Sequence, residues 1–224
     1  MTLTLGFDVY GTLIDTHGVK RALREHLGEL AEGFSRLWRE KQLEYSFRRG
    51  LMQNYVDFSR CTSQALEYAC LEYGLVLSQE QKDRLLATYR ELPPFDDAIA
   101  GLEKAQKAGF ALYAFSNGSA EAVTNLLHKA GLLGFFVEVI SVEDLRTFKP
   151  SPAVYCHFLR RTGACGSRAW MISSNPFDVI GAVSAGMRAA WVRRFENAIF
   201  DPWEVEPTLT VSGLDELADR VHEE

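Results

Sequence analysis

The alternation of strands and helices from Phe95 onward restricts the fold of this chain more than any other feature. A helix is expected over about 98–108, then the apolar strand "FALYAFS", then a helix opened by Ser119 and closed at Gly131. "FVEVIS", a helix over about 152–161, "AWMIS", a helix ending near Gly186, "RAAWV" and a last strand–helix pair complete the series. Apolar strands joined by helices pair in parallel, and a parallel sheet is covered on both faces. Another such run, "TLTLGFD" over 2–8, comes long before the series. Between them the pattern is helical. "FSRLWREKQLEYSF" puts Leu37, Lys41 and Tyr45 on one helix face, and Arg39, Leu43 and Phe47 on another. A second helix stops at Gly74, Ser78 with Gln81 reads as a capping box, and Pro93-Pro94 close the block. The expectation is an α/β protein with a doubly wound parallel sheet formed by 1–13 and 95–224, and a helical unit, 14–94, inserted after the first strand.

Composition narrows the class. With 224 residues, 47% apolar and 24% charged, the chain can bury a substantial core. A net charge of −6 argues against a nucleic-acid surface. The four cysteines (61, 70, 156 and 165) show no CxxC spacing and are expected to be reduced, half-buried thiols. No apolar run is long enough to span a bilayer, and the first residues enter a strand with no signal-type segment. A soluble, cytoplasmic protein is expected.

In an open parallel sheet, ligands bind beyond the carboxyl ends of the strands. Those ends carry Asp8, then Ser116-Asn117-Gly118, then Lys149, then Ser173-Ser174-Asn175 with Asp178. Each has a plainer reading. Asp8 alone suits a turn or helix cap, Ser116 and Asn117 could cap the next helix, and Asp178 could cap its own. Lys149 taken singly reads as a solvated loop residue, and Arg39 as part of a solvated helix face. Convergence of polar groups at every tip favours a catalytic cleft roofed by the inserted helices. The five histidines (17, 26, 128, 157 and 222) have no dyad or metal-ligand spacing and read as structural or surface groups. There is no GxSxG, GxxxxGK[ST] or GxGxxG, which removes support for serine-hydrolase, P-loop and dinucleotide readings.

Together, "FDVYGTL", "FSNGS", "FKPSPAVY" and "SSNPFD" resemble the haloacid dehalogenase superfamily with its Rossmann-like core, and specifically its L-2-haloacid dehalogenase (type II) branch. The likeness runs from Phe7 to about Gly186 and includes "LWREKQLEYSF" in the cap. Most of that superfamily are phosphohydrolases, with a nucleophilic Asp, a second acid two residues later, and magnesium held partly by an acid in the last motif. Here Tyr10 stands in place of the second acid and Ser174 in place of the metal-binding one. A halide leaving group needs no proton, and a monoanionic haloacid does not need the dication that a phosphoryl group usually needs.

The resemblance implies hydrolysis of small L-2-haloalkanoic acids to D-2-hydroxy acids through an aspartyl ester, with no cofactor and no metal. Asp8 would be the nucleophile, kept ionised by Lys149. Arg39, Asn117 and Phe177 would cradle the halide. Ser116 and Lys149 would hold the substrate carboxylate or Asp8, and Tyr10, Leu43 and Phe58 would form the apolar wall. Thr12, Tyr155, Ser173, Asn175 and Asp178 match the remaining catalytic positions, Asp178 as positioner or activator of the hydrolytic water. The partner implied is a small 2-haloacid, with no nucleic acid and no membrane, and a homodimer is compatible with the likeness. Three positions depart from it: Glu40 where an uncharged glutamine is usual, and Phe47 and Phe177 where tryptophans are common. The competing readings are a magnesium-dependent small-molecule phosphatase on the same fold and a non-catalytic member that binds an anion or a protein.

Overall fold

The computed structural model describes residues 2–223, with the side chain of His26, one of the five histidines read above, outside the described residues. Its sheet contains β1 (Thr4–Phe7), β2 (Ala111–Ser116), β3 (Glu138–Ser141), β4 (Ala169–Ser173), β5 (Arg188–Val192) and β6 (Leu209–Val211). The order is β3-β2-β1-β4-β5-β6, and every neighbouring pair is parallel. The doubly wound parallel sheet read from the alternation is therefore the fold. β1 lies at its centre, with Phe7 opposite Ala114 on one side and Ile172 on the other. That register brings Asp8, Ser116 and Ser173 to one edge of the sheet. The expected first strand, 2–8, is shortened to four residues, although Leu3 and Asp8 at its two ends still share one backbone hydrogen bond each, with β2 and β4 respectively.

Residues alternate between two cores along each strand, as the pleat requires. Leu5, Phe7, Ala114, Ile172 and Val192 face one core, together with residues of α5 (Ala98–Lys107), α6 (Ala120–Lys129) and α9 (Leu217–His222). Phe115, Ile140, Met171 and Ala189 face the other, covered by α7 (Pro152–Thr162) and α8 (Pro176–Ser184). Both faces are thus buried, which explains why the strands read as nearly continuous apolar runs.

Between β1 and α5 lie four helices, α1 (His17–Leu27), α2 (Ala31–Leu51), α3 (Phe58–Glu72) and α4 (Gln79–Thr88). α2 packs on α3 through the fully buried Trp38, whose indole N–H donates to the Thr62 carbonyl at 2.8 Å. Gly74, at φ 63°, ends α3 in the left-handed region that favours glycine. Ser78 and Gln81 form the reciprocal capping box at 2.8 and 3.2 Å. The two connections to the sheet run side by side: Phe95 N–H donates to the Leu13 carbonyl (2.9 Å) and Asp15 N–H to the Pro93 carbonyl (2.8 Å).

The cysteines differ from the half-buried expectation. All four are free, but Cys61 and Cys70 are buried on the inward face of α3, while Cys156 and Cys165 are exposed. Among the described residues no helix is long and apolar enough to cross a membrane.

Candidate active site

Asp8 follows the last residue of β1, and its amide still donates to the Ile172 carbonyl at 2.9 Å. The chain then reverses through Gly11 (φ 85°), a conformation costly for any residue with a Cβ. The reversal returns Thr12 to the same carboxylate. A sharp turn directly after a buried strand is how the sequence keeps a lone acid at the sheet edge, only 8% exposed.

The two Asp8 oxygens are treated unequally. Oδ2 accepts hydrogen bonds from Asn175 Nδ2 (2.7 Å), Thr12 Oγ1 (3.2 Å) and Ser173 Oγ (3.4 Å). Among the described residues, Oδ1 receives only the Lys149 ammonium, at 3.3 Å. Lys149 is 1% exposed and donates also to Asp178 Oδ2 and to the Phe115 carbonyl, both at 2.8 Å. An ammonium has three protons, so this one is saturated by protein acceptors.

Asp178, in the first turn of α8, accepts one hydrogen bond at each oxygen: besides Lys149 at Oδ2, Oδ1 accepts the Tyr155 hydroxyl at 2.8 Å. Burial raises its carboxyl above the usual range; the Lys149 ammonium opposes that rise and the Asp8 charge adds to it. Tyr155 is raised well above its ordinary value, chiefly by burial and then by Asp178, so it remains a phenol donor. The contact depends on Gly181, where an added Cβ would come within 2.5 Å of the Tyr155 hydroxyl and 2.8 Å of Pro150 Cβ. Ser174 donates to the Gly11 carbonyl (2.7 Å), and its amide donates to Thr12 Oγ1 (2.9 Å).

The structure therefore brings Asp8, Thr12, Lys149, Tyr155, Ser173, Asn175 and Asp178 into one hydrogen-bonded network, assembled from three strand tips and α7 and α8. Ser116 and Asn117 border it. Ser116 Oγ accepts from the Gly118 amide (3.1 Å), and Asn117 Oδ1 accepts from the Lys149 amide (2.9 Å), which leaves the Ser116 proton and the Asn117 amide donor for other partners.

A cleft of about 870 Å³ lies between the helical block and the start of α6, lined by Tyr10, Arg39, Phe58 and Gly118 among others; Asp8, Lys149 and Ser116 are not in its lining. Leu43, Asn117 and Phe177 do not belong to its lining; Leu43 is half-buried in α2, and Phe177 packs edge-on against Phe47, with ring centroids 5.1 Å apart. Arg39 also borders a second cavity of about 360 Å³, shared with His17, Lys20 and Glu40. Burial lowers the pKa of its guanidinium from the usual value, while Tyr89, Asp8 and Tyr10 pull it back up. Glu40, the departure beside it, points outward and reaches Arg36 at 3.9 Å, with its side chain 63% exposed.

Two residues near Arg39 were not singled out from the sequence. Gln42 is buried, accepts from Arg39 Nη1 (2.6 Å) and donates to Thr62 Oγ1 (2.5 Å), which fixes the guanidinium against α3. The i, i+3 spacing on α2 was the available signal. Tyr89 borders both cavities and packs edge-on against Tyr10 and Trp38, at 6.4 and 5.3 Å. Burial pushes the hydroxyls of Tyr89 and Tyr10 up to about 12. At the tail of a polar helix, Tyr89 carries no local signal.

The oxygen set does not suit a dication. Lys149 already bridges the two carboxylates, and Ser174 offers a neutral hydroxyl that donates to backbone. Among the described residues no group of three His, Cys, Asp or Glu side chains could hold a metal ion.

Residues 3–186 match the family model described as haloacid dehalogenase-like hydrolase. The chain is 36% identical over 212 residues to an (S)-2-haloacid dehalogenase of Pseudomonas putida, covering 95% of this chain and 93% of that one. It is 35% identical over 213 residues to haloacetate dehalogenase H-2 of Moraxella sp. (strain B), covering 95% of each. Among solved structures, the L-2-haloacid dehalogenase of Xanthobacter autotrophicus with chloropropionic acid covalently bound superimposes with a TM-score of 0.89 at 30% identity, over 99% of both chains. With its sheet order, its lone acid after the first strand and these relatives, the chain belongs to the haloacid dehalogenase-like hydrolases.

Proposed function

We propose that this protein is an (S)-2-haloacid dehalogenase, which hydrolyses small L-2-haloalkanoic acids to D-2-hydroxy acids through an ester on Asp8, without a metal. The observation that carries the reading is the unequal treatment of the Asp8 oxygens. Oδ2 is held by three donors and Oδ1 by one long contact, so Oδ1 keeps a lone pair free for in-line attack on C2. Displacement inverts C2, expels the halide and leaves an ester at Oδ1. Oδ2 is then the ester carbonyl oxygen. When water adds to the carboxyl carbon, negative charge develops on Oδ2, where Asn175, Thr12 and Ser173 already donate. Collapse breaks the bond between that carbon and Oδ1, so the hydroxy acid departs with the Asp8 oxygen and the water oxygen stays on Asp8. Asp178, made more basic by burial, takes the proton of the attacking water and returns it to the departing alkoxide, which regenerates the carboxylate.

Lys149 serves the two carboxylates rather than the substrate, since its protons are spent. The substrate carboxylate then falls to the Ser116 hydroxyl and the loop that follows it. Arg39, with the Asn117 amide and the Phe177 ring, is assigned to the halide; Tyr10, Leu43 and Phe58 are assigned to the apolar wall. In this reading residues 14–94 are a cap that excludes water from a core made of 1–13 and 95–224. The reaction is placed in the cytoplasm, on a dissolved acid, with the chain acting singly or as a homodimer and with no nucleic-acid or membrane partner.

The deciding experiment is halide release from the separate enantiomers of 2-chloropropionate. L-2-chloropropionate is expected to be consumed and to yield D-lactate; equal turnover of both enantiomers, or retention of configuration, overturns the reading. The rate is expected to survive exhaustive chelation and to gain nothing from magnesium. Loss of halide release on chelation and its restoration by magnesium would point instead to the phosphatase chemistry of the wider superfamily.

Arg39→Ala is expected to lower kcat for halide release by about 10²-fold or more, the scale for removing one preorganised charge-stabilising donor. A residue on a solvated helix face would cost far less. The thermal midpoint of the variant, measured alongside, separates loss of chemistry from loss of fold.

A further inference from the structure

We propose that Arg194 is a positioning residue for the Asp8 chemistry, acting through the Thr12 carbonyl and the two connections that carry the helical block; the assignment to catalysis rests on the proposed dehalogenation. Arg194 lies just past β5, with its side chain 6% exposed. Its Nη1 donates to both oxygens of Asp97, at 2.8 and 2.7 Å. Its Nε and Nη2 both donate to the Thr12 carbonyl, Nε at 3.2 Å. The flat guanidinium lies 4.1 Å over the Phe95 ring. Asp97 Oδ2 additionally accepts the Leu214 amide at 2.7 Å, which anchors the pair to the chain beyond β6.

Thr12 belongs to the connection leaving β1, and Phe95 and Asp97 to the one returning from α4. Beside the fork the two are joined by the Phe95 amide and the Leu13 carbonyl, at 2.9 Å. One side chain therefore fixes both covalent crossings to the end of β5. The same residue whose carbonyl it holds, Thr12, directs its hydroxyl to Asp8 Oδ2 and accepts the Ser174 amide. Displacing the carbonyl shifts a donor of the nucleophile and, with it, the base of the block that presents Arg39. The ion pair with Asp97 is internally neutral, so its effect on the site is geometric rather than a field. Only a planar fork suits it, because a lysine ammonium could not serve Asp97 and Thr12 together and also lie flat on Phe95.

A purely structural ion pair would lower the melting temperature and leave chemistry alone, so the test separates the two. Halide release from L-2-chloropropionate and melting temperature are measured for wild type, Arg194→Lys, Thr12→Val and the double variant. Amide hydrogen exchange is followed over residues 11–15 and 95–98, since Pro93 and Pro94 have no amide proton. Arg194→Lys is expected to lower kcat about 10-fold to 100-fold, the scale for a small misplacement of reacting groups, with KM changed less than about threefold. In the Thr12→Val background the same change is expected to cost less than in the wild-type background, since the hydroxyl it positions is gone and only the route through the helical block remains. Exchange should quicken in both connections together. Unchanged kcat with a lowered melting temperature, or full additivity in the double variant, overturns the proposal. Unaltered exchange in either connection overturns it too, and that readout needs no activity, so an inactive wild type would count against the dehalogenase reading alone. If Arg194→Lys gives no soluble protein, Asp97→Asn takes its place in the same cycle, because a neutral oxygen still accepts from Leu214 and Arg194.

Discussion

Asp8→Asn is expected to abolish halide release, with a loss of about 10⁴-fold or more in kcat and little change in melting temperature. The amide is nearly isosteric and its oxygen can still take the place of Oδ2 among Asn175, Thr12 and Ser173. Its nitrogen would face Lys149, a donor against a donor, so the pocket survives at the cost of one contact while the nucleophile disappears. The companion measurement is a single turnover of the wild type in heavy-oxygen water. Label is expected on the Asp8 carboxyl and not in the first product released, since the product oxygen comes from Oδ1. Label appearing directly in the product would mean that water attacks C2 itself, and the ester route would be wrong.

Lys149→Met is expected to damage both chemistry and stability. The side chain is fully buried between two carboxylates, Asp8 at 3.3 Å and Asp178 at 2.8 Å. Methionine approximates its volume but leaves those charges without a cation, a change that costs about 3–5 kcal/mol for buried pairs. The sign with pH follows from Asp178, whose carboxyl burial already raises and Lys149 holds down. Without Lys149 it rises further above its unfolded value. A carboxyl raised on folding adds its stabilisation at low pH and loses it as pH climbs through the folded pKa. The deficit of the variant relative to wild type should therefore shrink on acidification from neutral pH towards the ordinary carboxylate range. Denaturant melts across that interval check it, and a pH-independent deficit would mean that lost packing dominates. Halide release should fall by about 10²-fold or more, as when a preorganised charge partner is removed.

The sheet and its order of elements were open to reading because each strand is an apolar run with a helix signal on either side. Ser78-Gln81, Ser119 and the terminal glycines marked helix ends by local chemistry, which acts within a few residues and so survives in the sequence. Asp8, Lys149 and Asp178 were found because strand tips converge in any open parallel sheet. Arg39 was different. Helical periodicity alone put it on a solvated face, and only the resemblance drew it to the cleft. Gln42, Tyr89 and Arg194 escaped because their partners lie in other elements. Of the adjacent Arg193 and Arg194, only Arg193 is exposed, and nothing local distinguishes the two. The cysteines were misjudged in the same way: whether a helical thiol is buried depends on which face meets a neighbour, as Cys61 and Cys156 show.

The central place of β1 has a consequence for how the protein is made. The strand bearing Asp8 emerges during synthesis ahead of both its flanking strands, β2 and β4, which come about 100 and 165 residues later. Until residues 169–178 are available, Asp8 lacks Ser173, Asn175 and Asp178, and β1 has one bare edge. Contacts so distant in sequence make the docking of β4 a slow, non-local event, and the waiting strand is a segment prone to mispairing. Helices α1–α4, whose contacts are nearer in sequence, can form in the meantime. The proposed catalytic constellation and the closure of the sheet are thus completed by the same late step, so a chain halted before β4 would carry the acid without the donors that surround it.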